Sequence, residues 1–201
     1  FYKHCTACFI GECGYHGCPS PESLKKFLAP EDVWPMDNDA WAMHSTEDIR
    51  IEPVHNGRNE LMRNQVRMLV GLVPEDLHTF ARFSQISQAE AMKFFIERTR
   101  ALKGRRTGII WWNLLDGWPQ ISDAVVDYYF EKKLAFEAIR RVSEPVLVFL
   151  GEVEGWSQTV FAANDTRTDA EVSYSVRNAE TGDVLSQKKS PPCPGRNGRS
   201  R

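Results

Sequence analysis

The sequence predicts an α/β chain that passes, near residue 145, into antiparallel β-structure. Three observations predict it. Residues 109–115 form an apolar run too short for a typical helix and too apolar for an exposed strand, so they read as a strand covered on both faces. Helical periodicity flanks that run on each side, as in a sheet wrapped by helices. After residue 145 the helical period gives way to short strands separated by turn residues. The central run ends in Asp116-Gly-Trp-Pro119, a turn carrying an acid and an indole. In α/β folds the carboxyl end of a buried parallel strand is where ligands bind. An ordinary core strand and tight turn would explain the isoleucines and leucines, but not so well the three tryptophans 111, 112 and 118 within eight residues.

Composition supports a folded chain and narrows its partners. The 201 residues are 42% apolar and 26% charged, enough to bury a core. A net charge of −2 gives no reason to expect nucleic acid or an anionic membrane as a partner. No stretch approaches transmembrane length and the N-terminus lacks a signal-peptide pattern. The chain begins Phe1-Tyr2, which reads as the interior of a longer protein. Cysteines stand at 5, 8, 13, 18 and 193; the odd count and the crowding of four of them argue against a disulfide framework. Reduced thiols in a cytoplasmic protein are the plain expectation. Cys5-x2-Cys8 and Cys13-x4-Cys18, with His4 and His16 nearby, also permit a zinc reading, although the two pairs lie closer together than structural zinc sites usually allow.

In chain order, residues 7–11 form a short strand running into Glu12-Cys-Gly-Tyr-His-Gly17, whose glycines point to unusual backbone angles or close approach of a ligand. Glu12 sits where the apolar run ends. It is either a solvated acid or a carboxylate at the mouth of a barrel, and the pattern alone leaves both open. Ser20-Pro-Glu-Ser23 has the form of a helix start, with Leu24, Phe27 and Leu28 as one apolar face and Pro30 as the stop. Residues 30–57 form a long irregular segment, in which Trp34 and Trp41 serve either as a lid over a pocket or as staples to the surface. His44 and His55 have no partner at ligand spacing and read as ordinary polar residues. Residues 59–70 form a helix with Leu61, Val66, Leu69 and Val70 inward. Pro74-Glu-Asp76 opens another, which a capping-box pattern at Ser87–Glu90 either restarts or merely decorates. Phe94, Phe95 and Leu102 supply its buried face, and Gly104 closes it. After the central strand come a short apolar piece, Ala124-Val-Val126, and a helix over 131–142 with Leu134, Ala138, Ile139 and Val142 inward. Strands follow at 146–150, 158–163 and 171–177, where Val172, Tyr174 and Val176 alternate. This reads as the beginning of a β-sandwich, although only about four strands fit where a sandwich uses about seven. Residues 190–201 are rich in Pro, Gly and Arg and are expected to be disordered, with Cys193 among them.

Two segments resemble a known family. Phe9-Ile-Gly-Glu-Cys-Gly-Tyr-His-Gly-Cys-Pro-Ser20 is similar to the segment that brings the catalytic nucleophile on the seventh strand of glycoside hydrolase family 2, written S-E-[YF]-G-x-Q. Trp112-Asn-Leu-Leu-Asp-Gly-Trp-Pro119 is similar to W-Q-L-N-D-x-W-P on the eighth strand. Asp127-Tyr-Tyr and Lys132-Lys-x-Ala-Phe136 have counterparts in the last loop and helix. The closest resemblance is to the β-mannosidase-like branch, over roughly residues 5–165.

The resemblance implies the C-terminal part of a TIM (β/α)8 barrel over 1–144, the start of an immunoglobulin-like β-sandwich over 145–189 and a disordered tail from 190. It implies a retaining β-glycosidase acting on a β-linked carbohydrate, with no cofactor and no metal. Glu12 would be the nucleophile, Trp112 would line the sugar subsite, and Asp116 and Trp118 would shape the pocket rim. Trp111 would then pack outward. Gly11, Cys13 and His16 depart from the family's Ser, aromatic and Gln, which changes the nucleophile's surroundings and leaves the sugar open. The family's acid/base comes from an Asn-Glu pair on the fourth strand. Asn59-Glu60 follows the seventh-strand segment and is not that pair, so the chain alone is expected to be inactive. The alternative is a non-catalytic module that binds carbohydrate through exposed tryptophans or zinc through cysteines.

Overall fold

The structure, a computed structural model, describes residues 4–46 and 57–195. The chain divides into two compact units. One comprises Phe9–Phe95 and Gly108–Arg141; the other comprises Phe1–Cys8, Ile96–Thr107 and Val142–Arg201.

In the first unit, β1 (Phe9–Gly14) pairs in parallel with β2 (Gly108–Trp112). A parallel pair needs a long crossover, and the helices supply it: α1 (Pro21–Leu24), α2 (Asp39–Met43), α3 (Arg58–Val70) and the start of α4 (Leu77–Ala101). Three of the four starts have a side-chain cap. Ser20 caps α1, its hydroxyl accepting from Ser23 N at 3.1 Å, with Pro21 at the first position. Asn38 caps α2 by accepting from Trp41 N at 3.0 Å, and Asp76 accepts from Thr79 N at 2.9 Å ahead of α4. Helix α4 is continuous through Ser87–Glu90, so that pattern starts no second helix.

The core of this unit collects around Trp41, Leu24, Met62, Val66, Phe80 and Ile121. Burying side chains of this size contributes about 1.5–3 kcal/mol each. Trp41 is therefore neither lid nor staple. It is fully buried, and its indole N–H donates to Asp32 O and Val33 O, each at 3.1 Å. Trp34 packs on Phe80 and donates to Glu75 O at 2.6 Å. The buried stripe of α3 is Asn59, Met62 and Val66, whereas Leu61 and Leu69 are exposed. An asparagine sets that rotation: Asn59 Nδ2 donates to Trp41 O at 2.8 Å, which turns the expected apolar face partly outward.

Strand β2 is shorter than expected and is not covered on both faces. It ends at Trp112, and Ile110 and Trp112 share an exposed face. Its recorded pairing among the described residues is with β1 alone. Helix α5 (Leu134–Val142) buries Ala135, Ile139 and Val142.

In the second unit, β3 (Val146–Glu154) and β4 (Ser157–Asn164) form one antiparallel hairpin. A second joins β5 (Ser173–Arg177) and β6 (Val184–Lys189). Phe149 stacks on Phe161 across the first hairpin, ring centres 5.4 Å apart. The last turn of α4 belongs here: Arg100 donates to the carbonyls of Val142 at 2.6 Å and Glu144 at 2.7 Å and pairs with Asp165 at 3.0 Å. The expectation of disorder from residue 190 fails for its first part. Cys193 and Ala170 exchange backbone hydrogen bonds of 2.8 and 3.0 Å, which fixes the chain after β6. Residues 196–201, like His55, lie outside the described residues.

Candidate active site

The site grows from the carboxyl ends of β1 and β2. Ile10 faces Ile109 and Cys13 faces Trp111, so the register shifts across Gly11-Glu12. A bulge of this kind re-aims a side chain and is common beside active sites. Ile10 and Cys13 are buried while Glu12 is exposed. Gly14 lies opposite Trp112. Glu12 and Trp112 line one hollow of about 260 Å³, together with Thr46, Arg58 and Asp123. Trp112 is 54% exposed and Trp111 is half-buried, so the indole with an open face is that of Trp112.

Asp116 and Trp118 do not line this hollow. Asp116 is only 2% exposed, and its Oδ1 accepts from Ser122 Oγ and Gln120 Nε2, each at 2.6 Å, while Oδ2 is buried without a partner. It ties the turn after β2 to the segment that follows. Trp118 stacks on His44 with ring centres 5.4 Å apart. His44 is more than an ordinary polar residue: its Nδ1 lies 2.7 Å from Pro119 O, and its ring also packs on Phe27. Residues 116–119 are thus held by contacts of their own.

Asp123 and Arg58 were missed in the sequence. Asp123 Oδ1 lies 2.5 Å from Nδ1 of His16, whose ring is buried. An imidazole N–H donating to a carboxylate is the pairing these atoms allow. The two chain segments that carry the pair are joined immediately beyond it, where Gly17 N donates to Ser122 O at 3.2 Å. Two buried polar side chains brace the joint. Lys133 Nζ donates to Gly17 O at 2.6 Å and Ser122 O at 3.1 Å. Gln88 Nε2, from α4, donates to Tyr15 O at 3.0 Å and Asp123 O at 2.8 Å. A Cβ on residue 17 would come within 2.1 Å of the Gln88 amide oxygen, so glycine is required for this approach. Burial pushes the Lys133 ammonium below its ordinary value, with Asp116 pulling it back up.

The cysteines do not gather. Among the described residues no group of three His, Cys, Asp or Glu is arranged to hold a metal ion. Burial pushes the Cys13 thiol up to about 11, helped by Asp123 and Glu12, and the Cys18 thiol up to about 12. The zinc alternative thus has no ligand set among the described residues, and these two thiols are poorly disposed to ionise.

No protein-family model matches the chain. Proteins called β-mannosidase B from Aspergillus flavus and Aspergillus niger are each 40% identical to it over 88 residues, which is 42% of this chain and 10% of theirs. The chain is related to β-mannosidases over part of its length. It spans about a tenth of these β-mannosidases. A β-D-mannosidase from Dictyoglomus thermophilum superimposes with a TM-score of 0.72 over 91% of this chain and 22% of its own, at 24% identity. An exo-chitosanase from Amycolatopsis orientalis does so with a TM-score of 0.64 over 89% and 21%, at 18% identity. At these identities the β-mannosidase and exo-chitosanase structures show a shared fold and nothing finer.

Proposed function

We propose that this chain is the nucleophile-bearing part of a retaining β-glycosidase, with a β-mannoside as the substrate class. The observation that carries the reading is the shared hollow of Glu12 and Trp112. It places a carboxylate beside an indole face at the carboxyl end of a parallel strand pair, where α/β folds bind ligands. On this reading β1 and β2 are the last two strands of a (β/α)8 barrel, and the two hairpins begin a β-sandwich. The choice of mannoside rests on the 40% identity to the β-mannosidases. The exo-chitosanase likeness concerns fold alone. We keep the cytoplasm as the site of action on the thiol reading of the cysteines.

The chemistry follows from the residues. Glu12, ionised, attacks the anomeric carbon; the bond to the leaving oxygen breaks and a glycosyl-enzyme forms. A second carboxyl group about 5 Å away protonates the leaving oxygen, then takes a proton from the water that releases the sugar. The resemblance assigns that group to an Asn-Glu pair on an earlier strand, which the 201 residues do not contain. Trp112 holds the pyranose ring by stacking on its apolar face.

The test uses the protein that carries this chain. Glu12→Gln is expected to lower turnover of p-nitrophenyl β-D-mannopyranoside at least about a thousand-fold and to abolish labelling by a cyclophellitol-type probe, with an unchanged circular dichroism spectrum. Full activity in the variant refutes the assignment. Sugar binding by a wild-type protein that neither turns over nor takes the label would favour the non-catalytic module.

A further inference from the structure

The scheme above gives Asp123 nothing to do, although this residue lines the hollow and its side chain is partly exposed. Three contacts define its capacity. His16 occupies Oδ1 from 2.5 Å. Gly14, two residues beyond Glu12 on β1, makes room for Oδ2: a Cβ at this position would lie 2.4 Å from that oxygen and 3.2 Å from Cγ. Gln88 holds the Asp123 main chain through its carbonyl. The carboxylate therefore meets a ligand with its backbone fixed, one oxygen taken and the other beside the strand that carries Glu12. Such an acceptor needs little reordering when a ligand arrives, which is the condition for strong discrimination.

We infer that Asp123, held by His16 over Gly14, is a specificity-determining residue that accepts a hydrogen bond from one ring hydroxyl of the neutral pyranose stacked on Trp112. This rests on the hydrolase reading and deepens it. The contact is selective because a site built to bond a hydroxyl leaves its own acceptor without a partner when that hydroxyl is absent. His16 acts through Asp123 and is a positioning residue.

The experiment is a cycle of variants and substrates on the protein that carries this chain. Whichever of the p-nitrophenyl β-D-mannoside, β-D-glucoside and β-D-galactoside is cleaved fastest is compared with its monodeoxy analogues, in wild type, Asp123→Ala and the near-isosteric Asp123→Asn. One deoxy analogue is expected to lose about ten- to a hundred-fold in kcat/KM with wild type, the range for a hydrogen bond to a charged group. That penalty should vanish in Asp123→Ala and shrink in Asp123→Asn. Gly14→Ala, which presses on the same oxygen and on the Trp112 carbonyl, should weaken the same penalty. If every deoxy penalty survives in both Asp123 variants, the inference is overturned while the hydrolase reading stands. If wild-type Glu12 takes no cyclophellitol label and no glycoside is cleaved, both fall. Should Asp123→Ala fail to fold, Asp123→Asn decides.

Discussion

At residue scale, Trp112 separates binding from stability. Its exposed indole contributes little to the core, so Trp112→Ala should leave the unfolding midpoint almost unchanged, the usual result for a surface substitution. The loss of stacking, about 0.5–1.5 kcal/mol, should instead raise KM for an aryl β-mannoside about two- to ten-fold. A KM unchanged in steady-state kinetics would move the sugar off this ring. That Glu12 and Trp112 would meet was legible because each sits in a motif whose order is local, Glu12 at the end of one apolar run and Trp112 within another. Asp123 was not. It follows a serine in an unremarkable stretch, and its meaning comes from His16, 107 residues away. The signal within reach was His16 itself, a departure from the family's Gln in the segment after the nucleophile. Arg58 gave no signal.

At the scale of elements, the turn after β2 couples acidity to folding. Burial holds the Asp116 carboxyl above its ordinary value of 3.8, against the opposing pull of Lys133 and the Ser122 and Gln120 donors. The folded chain thus keeps a proton that the unfolded chain has released. The stability from that proton is complete below the unfolded value and is lost as pH rises through the folded one. Asp116→Asn keeps the acceptor for Ser122 and puts an amide where Oδ2 lies without a partner. Its urea midpoint should therefore fall less steeply than wild type as pH rises across the weakly acidic range. Parallel slopes would assign the proton elsewhere. The same turn shows how far pattern reading reaches. The acid and indole were visible as a ligand-side turn, but their contacts with Ser122, Gln120 and His44 were not. Helix α3 shows the same limit. Its position was legible from its period, while its rotation depended on Asn59 finding a carbonyl in α2.

At the scale of the molecule, the second unit is assembled from separated parts of the chain, and Arg100 is the clearest tie. Its guanidinium reaches the carbonyls of Val142, Glu144 and Pro145 and the carboxylate of Asp165. Hydrogen bonds to a charged group contribute about 1.5–3 kcal/mol each and are not additive. Arg100→Ala is therefore expected to destabilise this unit by about 3 kcal/mol, with faster amide exchange in β3 and β4. Unchanged protection there would show that the hairpin stands without it. The change from helical to strand period near residue 145 was legible, because side-chain alternation is a local property. The membership of residues 96–107 in the same unit was not, because a helix that serves two bodies has one uninterrupted period.

The brace formed by Gln88 and Lys133 has a consequence for how such a protein changes. Both grip main-chain carbonyls, which every residue type presents alike, so the brace draws on no side-chain atom of 16 or 123. If Asp123 reads a ring hydroxyl, exchanges at those two positions would alter what the chamber prefers while the main-chain brace keeps its partners. Variation in taste among descendants of this chain should therefore concentrate in that pair, while the glutamine and the lysine stay fixed.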